Sequence, residues 1–290
     1  MKRQLSRRDF LKFAGFLSVT SLAAAGTGAF TFSLLNEPDV LEVTEVTIKL
    51  PRLTPRFYGF RIAQISDIHM GAWMNAERLR RVVDLVKAQK PELVAITGDF
   101  FTGPVWNQRQ VRAADELVAE ISRLTEEIPA VGVLGNHDHW SDAEEVRSAL
   151  ARCGVIEIGN SFHTIERDGQ QLHIAGVDDI WYDHDDLDEV LSRLPESGEA
   201  ILLAHEPDFA DESAVTGRFG LQLSGHSHGG QIVLPVVGAP VLPRLGKKYP
   251  SGLYKVQDMW QYTNRGVGML EPAVRINCRP EITVFTLEPV

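Results

Sequence analysis

The sequence predicts a mixed α/β layered fold with two sheets and helices on the outside. Short apolar runs alternate with amphipathic stretches through the first part of the chain, whereas residues 253–287 read as strands separated by turns. In addition, five of the strand-like runs stop abruptly at residues with nitrogen or oxygen donors, and layered α/β folds gather their sites beyond the carboxyl ends of strands.

The chain has 290 residues, 44% of them hydrophobic, enough for a sizeable core, and no low-complexity tract points to disorder. Setting the N-terminus aside leaves about 250 residues, one large domain or two small ones. No internal repeat is visible. The formal net charge is −10; Lys2, Arg3, Arg7, Arg8 and Lys12 against Asp9 give residues 1–36 a charge of +4, so the remainder carries −14. So acidic a body argues against general binding to a nucleic-acid backbone. Cys153 and Cys278 lack metal-type spacing and read as separate buried thiols, a disulfide staying open outside the cytoplasm.

Ser6-Arg7-Arg8-Asp9-Phe10-Leu11-Lys12 precedes an uncharged stretch from Phe13 to Asn36, the pattern of an export or anchor signal. The arginine pair closely resembles the twin-arginine export signal, which implies the twin-arginine machinery as a partner and delivery of a folded protein to the periplasm or cell envelope. Ala23–Ala25 and Thr27–Ala29 offer small residues for cleavage, yet a span of ~20 apolar residues crosses a bilayer, so a cleaved signal peptide and an anchor over residues 13–35 both stay open. The basic flank predicts N-terminus inside and body outside. Residues 37–290 are left as the folded domain.

Asp39–Leu50 alternates polar and apolar residues and should be a strand. Arg61–Ile65 is a strand ending in Ser66-Asp67-Ile68-His69. Asn75 caps a helix over 76–89 with Leu79, Val82, Val83 and Val86 on one face. Leu93–Thr97 is a strand ending in Gly98-Asp99, and a helix follows over 108–127. Ala130–Leu134 is a strand that runs into the loop Gly135-Asn136-His137-Asp138-His139. Ser141-Asp142-Ala143-Glu144 is a capping-box pattern opening a helix to about 152. Residues 155–158, 162–166 and 171–177 are short strands with Asp168-Gly169 as a hairpin turn. Acidic residues 183–189 open a short helix. Ala200–Ala204 ends in His205, and Leu221–Ser224 ends in Gly225-His226-Ser227-His228. Residues 235–252 are rich in Pro and Gly.

The donors at the strand ends are therefore Asp67, His69, Asp99, Asn136, His205, His226 and His228. Seven are too many for one metal and suit two, with a carboxylate shared between them. The lack of thiolate favours an open catalytic site over a closed structural zinc site. In this order, Asp67-x-His69, Gly98-Asp99, Gly135-Asn136-His137-Asp138, His205 and Gly225-His226-x-His228 resemble the motifs of the calcineurin-like metallophosphoesterases. Asn264–Gly268 and Cys278–Thr283 look like the C-terminal pattern of that family's exported bacterial phosphodiesterases, the YkuE and YaeI type.

The resemblance implies a four-layer α-β-β-α sandwich with mixed sheets, and two divalent or trivalent ions (Mn, Fe or Zn). Asp67, His69 and His228 would hold one ion, Asn136, His205 and His226 the other, and Asp99 would bridge them. It implies a phosphodiesterase in which a metal-bridging hydroxide attacks phosphorus, His137 acts as acid near the leaving group, and Asp138 orients His137. Thr102 stands where the family often has a second Asp, and His139 where it often has an aromatic residue. His163, His173 and His184 read as bystanders, and Trp73 and Met74 as packing. Residues 234–252 mix Leu234, Val236, Val237, Val241, Leu242 and Leu245 with Arg244, Lys247 and Lys248; they form either a flap that meets a membrane or lipid-linked phosphate, or a loop over the protein's own core. The substrate is expected to be a phosphoester, of the cell wall or linked to lipid. A pyrophosphatase of nucleotide-linked lipid precursors and a non-catalytic metal-binding protein on the same fold are the alternatives.

Overall fold

The computed structural model describes residues 39–103 and 106–290, so the signal segment lies outside the described residues. The chain runs through strand β1 (Glu42–Leu50), strand β2 (Arg61–Ile65), helix α1 (Ala76–Ala88), strand β3 (Leu93–Thr97), helix α2 (Gln108–Thr125), strand β4 (Ala130–Val133), helices α3 (Asn136–Ser141) and α4 (Ala143–Arg152), and strand β5 (Val155–Glu157). It continues through β6 (Ser161–Arg167), β7 (Gln170–Gly176), α5 (Leu187–Arg193), β8 (Glu199–Leu203), α6 (Ala210–Ser213), β9 (Leu221–Ser224), β10 (Gly252–Val256), β11 (Met259–Thr263) and β12 (Glu281–Pro289).

These strands form two six-stranded mixed sheets, ordered β1-β12-β2-β3-β4-β5 and β10-β11-β9-β8-β7-β6. The central strands β2, β3 and β4 of the first sheet are parallel, as are β7, β8 and β9 of the second. Strands buried on both faces need apolar residues at every position, which is why β3 reads Leu-Val-Ala-Ile-Thr without alternation. Its residues nonetheless divide by the two-residue period: Val94 and Ile96 face the helices, while Leu93 and Ala95 face the other sheet.

Three apolar layers result. Val82 and Val83 of α1, Leu117 and Ile121 of α2 and Leu150 of α4 pack on Ile65 and Ile96. Ile62, Leu93 and Val131 meet Ile174, Ile201 and Leu223 between the sheets. Val177, Val190, Leu202 and Phe209 close the far side. The expected α-β-β-α sandwich is therefore present. Asn75 caps α1 by accepting from Arg78 N at 3.0 Å, as expected. The hairpin at Asp168-Gly169 has positive φ at both residues, 48° and 75°, as a type I′ turn requires.

Several local expectations are corrected. Residues 136–141 are a helical turn, not a loop, because the Asp138 carboxylate reaches back to Gly135 N at 3.0 Å and caps it. The next helix is capped by Asp142, which accepts from Glu145 N at 3.3 Å; Ser141 instead ends α3 and donates to the Gly103 carbonyl. The short helix expected from residues 183–189 starts at Leu187, with Asp186 as its cap, and His163 lies within β6, opposite Ile174.

Candidate metal centre

Because β2, β3, β4, β8 and β9 all end on one side of the sandwich, their C-terminal residues meet there. His69 Nε2 lies 3.0 Å from His228 Nε2 and 3.5 Å from Asp99 Oδ2. His228 Nε2 is 3.3 Å from Asp67 Oδ1, and His205 Nε2 is 3.2 Å from Asp99 Oδ2. Donor atoms of Asp67, His69 and His228 fall within 4.8 Å of one another, as do those of Asp67, Asp99 and His205 and those of His205, His226 and Glu206. Asn136 completes the ring, its Oδ1 buried and without a hydrogen-bond partner.

The backbone is strained at these positions. Asp67, His69, Asp99, His226 and His228 all have positive φ, between 50° and 68°. A non-glycine residue in this region costs about 1–3 kcal/mol and persists only where the surroundings enforce it. Here loops enforce it on one another. Asp67 N donates to Gly98 O at 3.0 Å, His69 N to Asp99 O at 3.0 Å, and His226 N to the Asp67 carboxylate at 3.1 Å. Gly135 and Gly225 allow the close approach: a Cβ on Gly135 would strike the Asp99 carboxylate and His205, and one on Gly225 would strike Ser66 and Asp67.

Hydrogen bonds also select which ring nitrogens are free. His205 Nδ1 lies 2.6 Å from Thr97 O and His226 Nε2 lies 2.8 Å from Arg244 O, so Nε2 of the first and Nδ1 of the second keep their lone pairs for a ligand. Burial pushes His69 and His226 down to about 3 and His228 well below the usual range, which keeps these rings neutral, the form that ligates. Burial raises Asp67 to about 7. Burial would also raise Asp99, but His205, His137 and His69 hold it well below the usual carboxylate range. Burial opposes a proton on His205; the Asp99 carboxylate outweighs it and holds that ring well above the ordinary value. A cation entering the ring of donors competes with that proton. The residues present therefore fit a metal ion: buried oxygens and neutral imidazoles converge, and Asn136 Oδ1 has no other partner.

Asp138 does something other than expected. Its Oδ1 accepts from Phe100 N at 2.8 Å and Phe101 N at 3.1 Å, and its Oδ2 from Gly135 N, so it ties the loop after β3 to the loop after β4 and makes no hydrogen bond to His137. His137 is held by its own backbone, whose N–H donates to Asp99 Oδ1 at 2.9 Å, and by ring contacts with His69 and Trp140. Burial lowers its pKa. Thr102 donates its N–H to Met70 O and joins no donor group. His173 is buried between Thr164 Oγ1 and Ser197 O, and Met74 and Trp73 pack in the core, as expected.

Other residues escaped the sequence reading. Glu206 is wholly buried beside His205, its Oε1 unpartnered; burial raises it well above the usual range, with His205 opposing and Asp179 reinforcing. Strand β7 also ends at a buried acidic pair, Asp178-Asp179, the same strand-end signal as the other five. His139 bonds Asp178 at 2.8 Å and stacks on His184. Arg275 is fully buried and donates to the carbonyls of Arg265, Gly266 and Gly268 at 2.7–3.0 Å. It thereby fixes the loop whose Gly268 N–H binds Asp67 O.

The donor ring opens into a cleft of about 560 Å³ walled by Trp140, Trp181, Ile232, Val241, Pro243 and Leu270, with Glu271 at its rim. Two α/β sheets back to back, with Asp, Asn and His at their carboxyl ends, define a metal-dependent hydrolase of the phosphoesterase class. Residues 60–230 match the calcineurin-like phosphoesterases, and the chain belongs to that family. It is 36% identical over 289 residues, 99% of each chain, to the uncharacterized metallophosphoesterase YkuE of Bacillus subtilis. It is 28% identical to phosphodiesterase YaeI of Escherichia coli, over 94% of this chain and 97% of that one. A Danio rerio transmembrane protein with a metallophosphoesterase domain is 30% identical, over 89% of this chain and 60% of that one.

Proposed function

We propose that the chain hydrolyses phosphodiesters at a two-metal site in the cell envelope. The observation that carries this is the division of the donors. Donor atoms of Asp67, His69 and His228 form one group and those of His205, His226 and Glu206 another, while Asp99 Oδ2 lies 3.5 Å from His69 and 3.2 Å from His205; this supports reading Asp99 as a carboxylate shared by two ions, with Asn136 beside it in the cleft lining. Bound divalent or trivalent ions (Mn, Fe or Zn) supply charge neutralisation and lower the pKa of water from ~15.7 toward ~7. The protein's own part is to place the phosphoester in the cleft and exclude bulk water with Trp140 and Trp181. His137 lines the cleft without a hydrogen bond to the Asp138 carboxylate; burial disfavours its imidazolium and the Asp99 carboxylate favours it, and in its protonated form the ring passes a proton to the departing oxygen. The similarity to the E. coli phosphodiesterase YaeI supports a diesterase. The twin-arginine pattern at Arg7-Arg8 supports export, with residues 13–35 as cleaved signal or anchor.

The test is hydrolysis of an aryl phosphodiester by the full chain loaded in turn with manganese, iron and zinc, together with metal counting. Two ions per chain and turnover that vanishes in Asp99→Asn are expected. His137→Ala should keep its metals and lose about 10²–10⁴ in rate on poor leaving groups, and less on good ones. Metal-loaded protein inactive on every diester tried would overturn the enzymatic reading and favour a non-catalytic binding protein.

A further inference from the structure

We propose that the metal-site end of the molecule stands against an anionic lipid bilayer, with the hairpin Leu234–Gly238 in the headgroup region. The hairpin is closed by reciprocal hydrogen bonds between Leu234 and Gly238, both 2.9 Å. Its tip presents Val236 and Val237 fully to solvent, 108% and 71% exposed, and Val241 follows at 75%. Val236 has φ +71°, a conformation a β-branched residue avoids and one that no buried contact here enforces. An apolar, strained tip without a partner is unfavourable in water and favourable in an interface that covers it.

Three observations choose a bilayer as the covering surface. The residues that flank the hairpin, Ile232 and Val241, line the cleft together with Trp140 and Trp181, and the Trp140 indole N–H donates to the hydroxyl of exposed Tyr182 at 2.7 Å. Such aromatic residues favour the boundary between headgroups and acyl chains. Exposed Arg244 and Lys247 follow the hairpin in a protein that is otherwise acidic, and Arg244 sits over the Trp181 ring, joining the two rims. Lastly, the described chain starts at this same end: Asp39 pairs with Arg78 beyond the carboxyl end of β2 and shares a small cavity with Val267, whose N–H binds Ser66 O. The described body therefore begins at the end of the sandwich where β2 runs into the donor ring.

The test uses the full chain carrying Val236→Cys labelled with an environment-sensitive fluorophore, and as a control Asp168→Cys at the opposite end; native Cys153 and Cys278 are buried at 2% and 1% exposure and stay unlabelled. Added vesicles of phosphatidylglycerol and phosphatidylcholine should shift the emission at 236 to the blue and expose it to quenching by lipid-borne spin labels, while the label at 168 stays in water. A label at 236 that stays in water on such vesicles overturns the proposal. So does one already protected without lipid in a particle of twice the mass, which would make a second copy the partner. A kinetic arm rests on the phosphodiesterase reading: Val236→Asp with Val237→Asp should keep turnover of a soluble aryl diester and lose about tenfold on a diester embedded in vesicles. Equal turnover on both substrates overturns the contact, whereas absence of any hydrolysis touches only the enzymatic reading and leaves the fluorescence to decide.

Discussion

The two ends of the central strands use one unusual backbone conformation for opposite reasons. At the amino ends, positive φ falls on Lys90, Asp168 and Gln257, exposed residues in tight turns. At the carboxyl ends it falls on Asp67, His69, Asp99, His226 and His228, which are buried and locked by hydrogen bonds from neighbouring loops. The first set is set by local turn chemistry and tolerates exchange. The second is held by contacts distant in sequence, and the strain buys convergence of donors that no relaxed backbone delivers.

The sharpest way to break this contrast is to add a Cβ at one end and remove one at the other. Gly225→Ala, whose Cβ would collide with Ser66 and Asp67, should weaken metal binding by at least about 100-fold in a titration followed by calorimetry. Lys90→Gly, which relaxes a turn, should change stability by less than about 1 kcal/mol and leave metal affinity alone. Equal effects would mean that the close approach of the loops at the carboxyl ends has no role.

A smaller effect is expected beneath the site. Arg275→Met strips four carbonyls, those of Arg265, Gly266, Gly268 and Cys278, of their charged donor and should cost about 3 kcal/mol in denaturant unfolding, with metal affinity falling as the loop behind Asp67 loosens. Unchanged stability would show that the loop holds itself.

The smallest effect concerns pH. Burial opposes protonation of His139, but Asp178 at 2.8 Å overcomes it and raises the pKa above 6.5. A raised folded value means the pair contributes in full below 6.5 and loses its contribution as the pH rises through the folded pKa. The melting-temperature gap between the native chain and His139→Gln should therefore shrink as the pH climbs above 6.5. A gap that widened would reverse the assignment.

Most of the architecture was legible because strand runs and helix faces follow local periodicity. The seven donors were legible because each follows such a run. What escaped depends on approach through space. Nothing near Asp138 in sequence shows that Phe100 and Phe101 will claim its carboxylate, and so the expected partner, His137, goes without it. Glu206 and Asp179 carried the strand-end signal but stood outside the motif set. Arg275 looks like a surface cation until the Gly266–Gly268 loop folds over it, and the positive φ values have no signature in residues such as His and Asp.

Strand β12 lies between β1 and β2, pairing with β1 along all nine of its residues. Until residues 281–289 have been synthesised, the first sheet is therefore two fragments with bare edges, and Ile282, Phe285 and Leu287 are missing from its core. The first sheet cannot close without these residues, and a chain lacking them keeps every candidate donor yet leaves β1 unpaired.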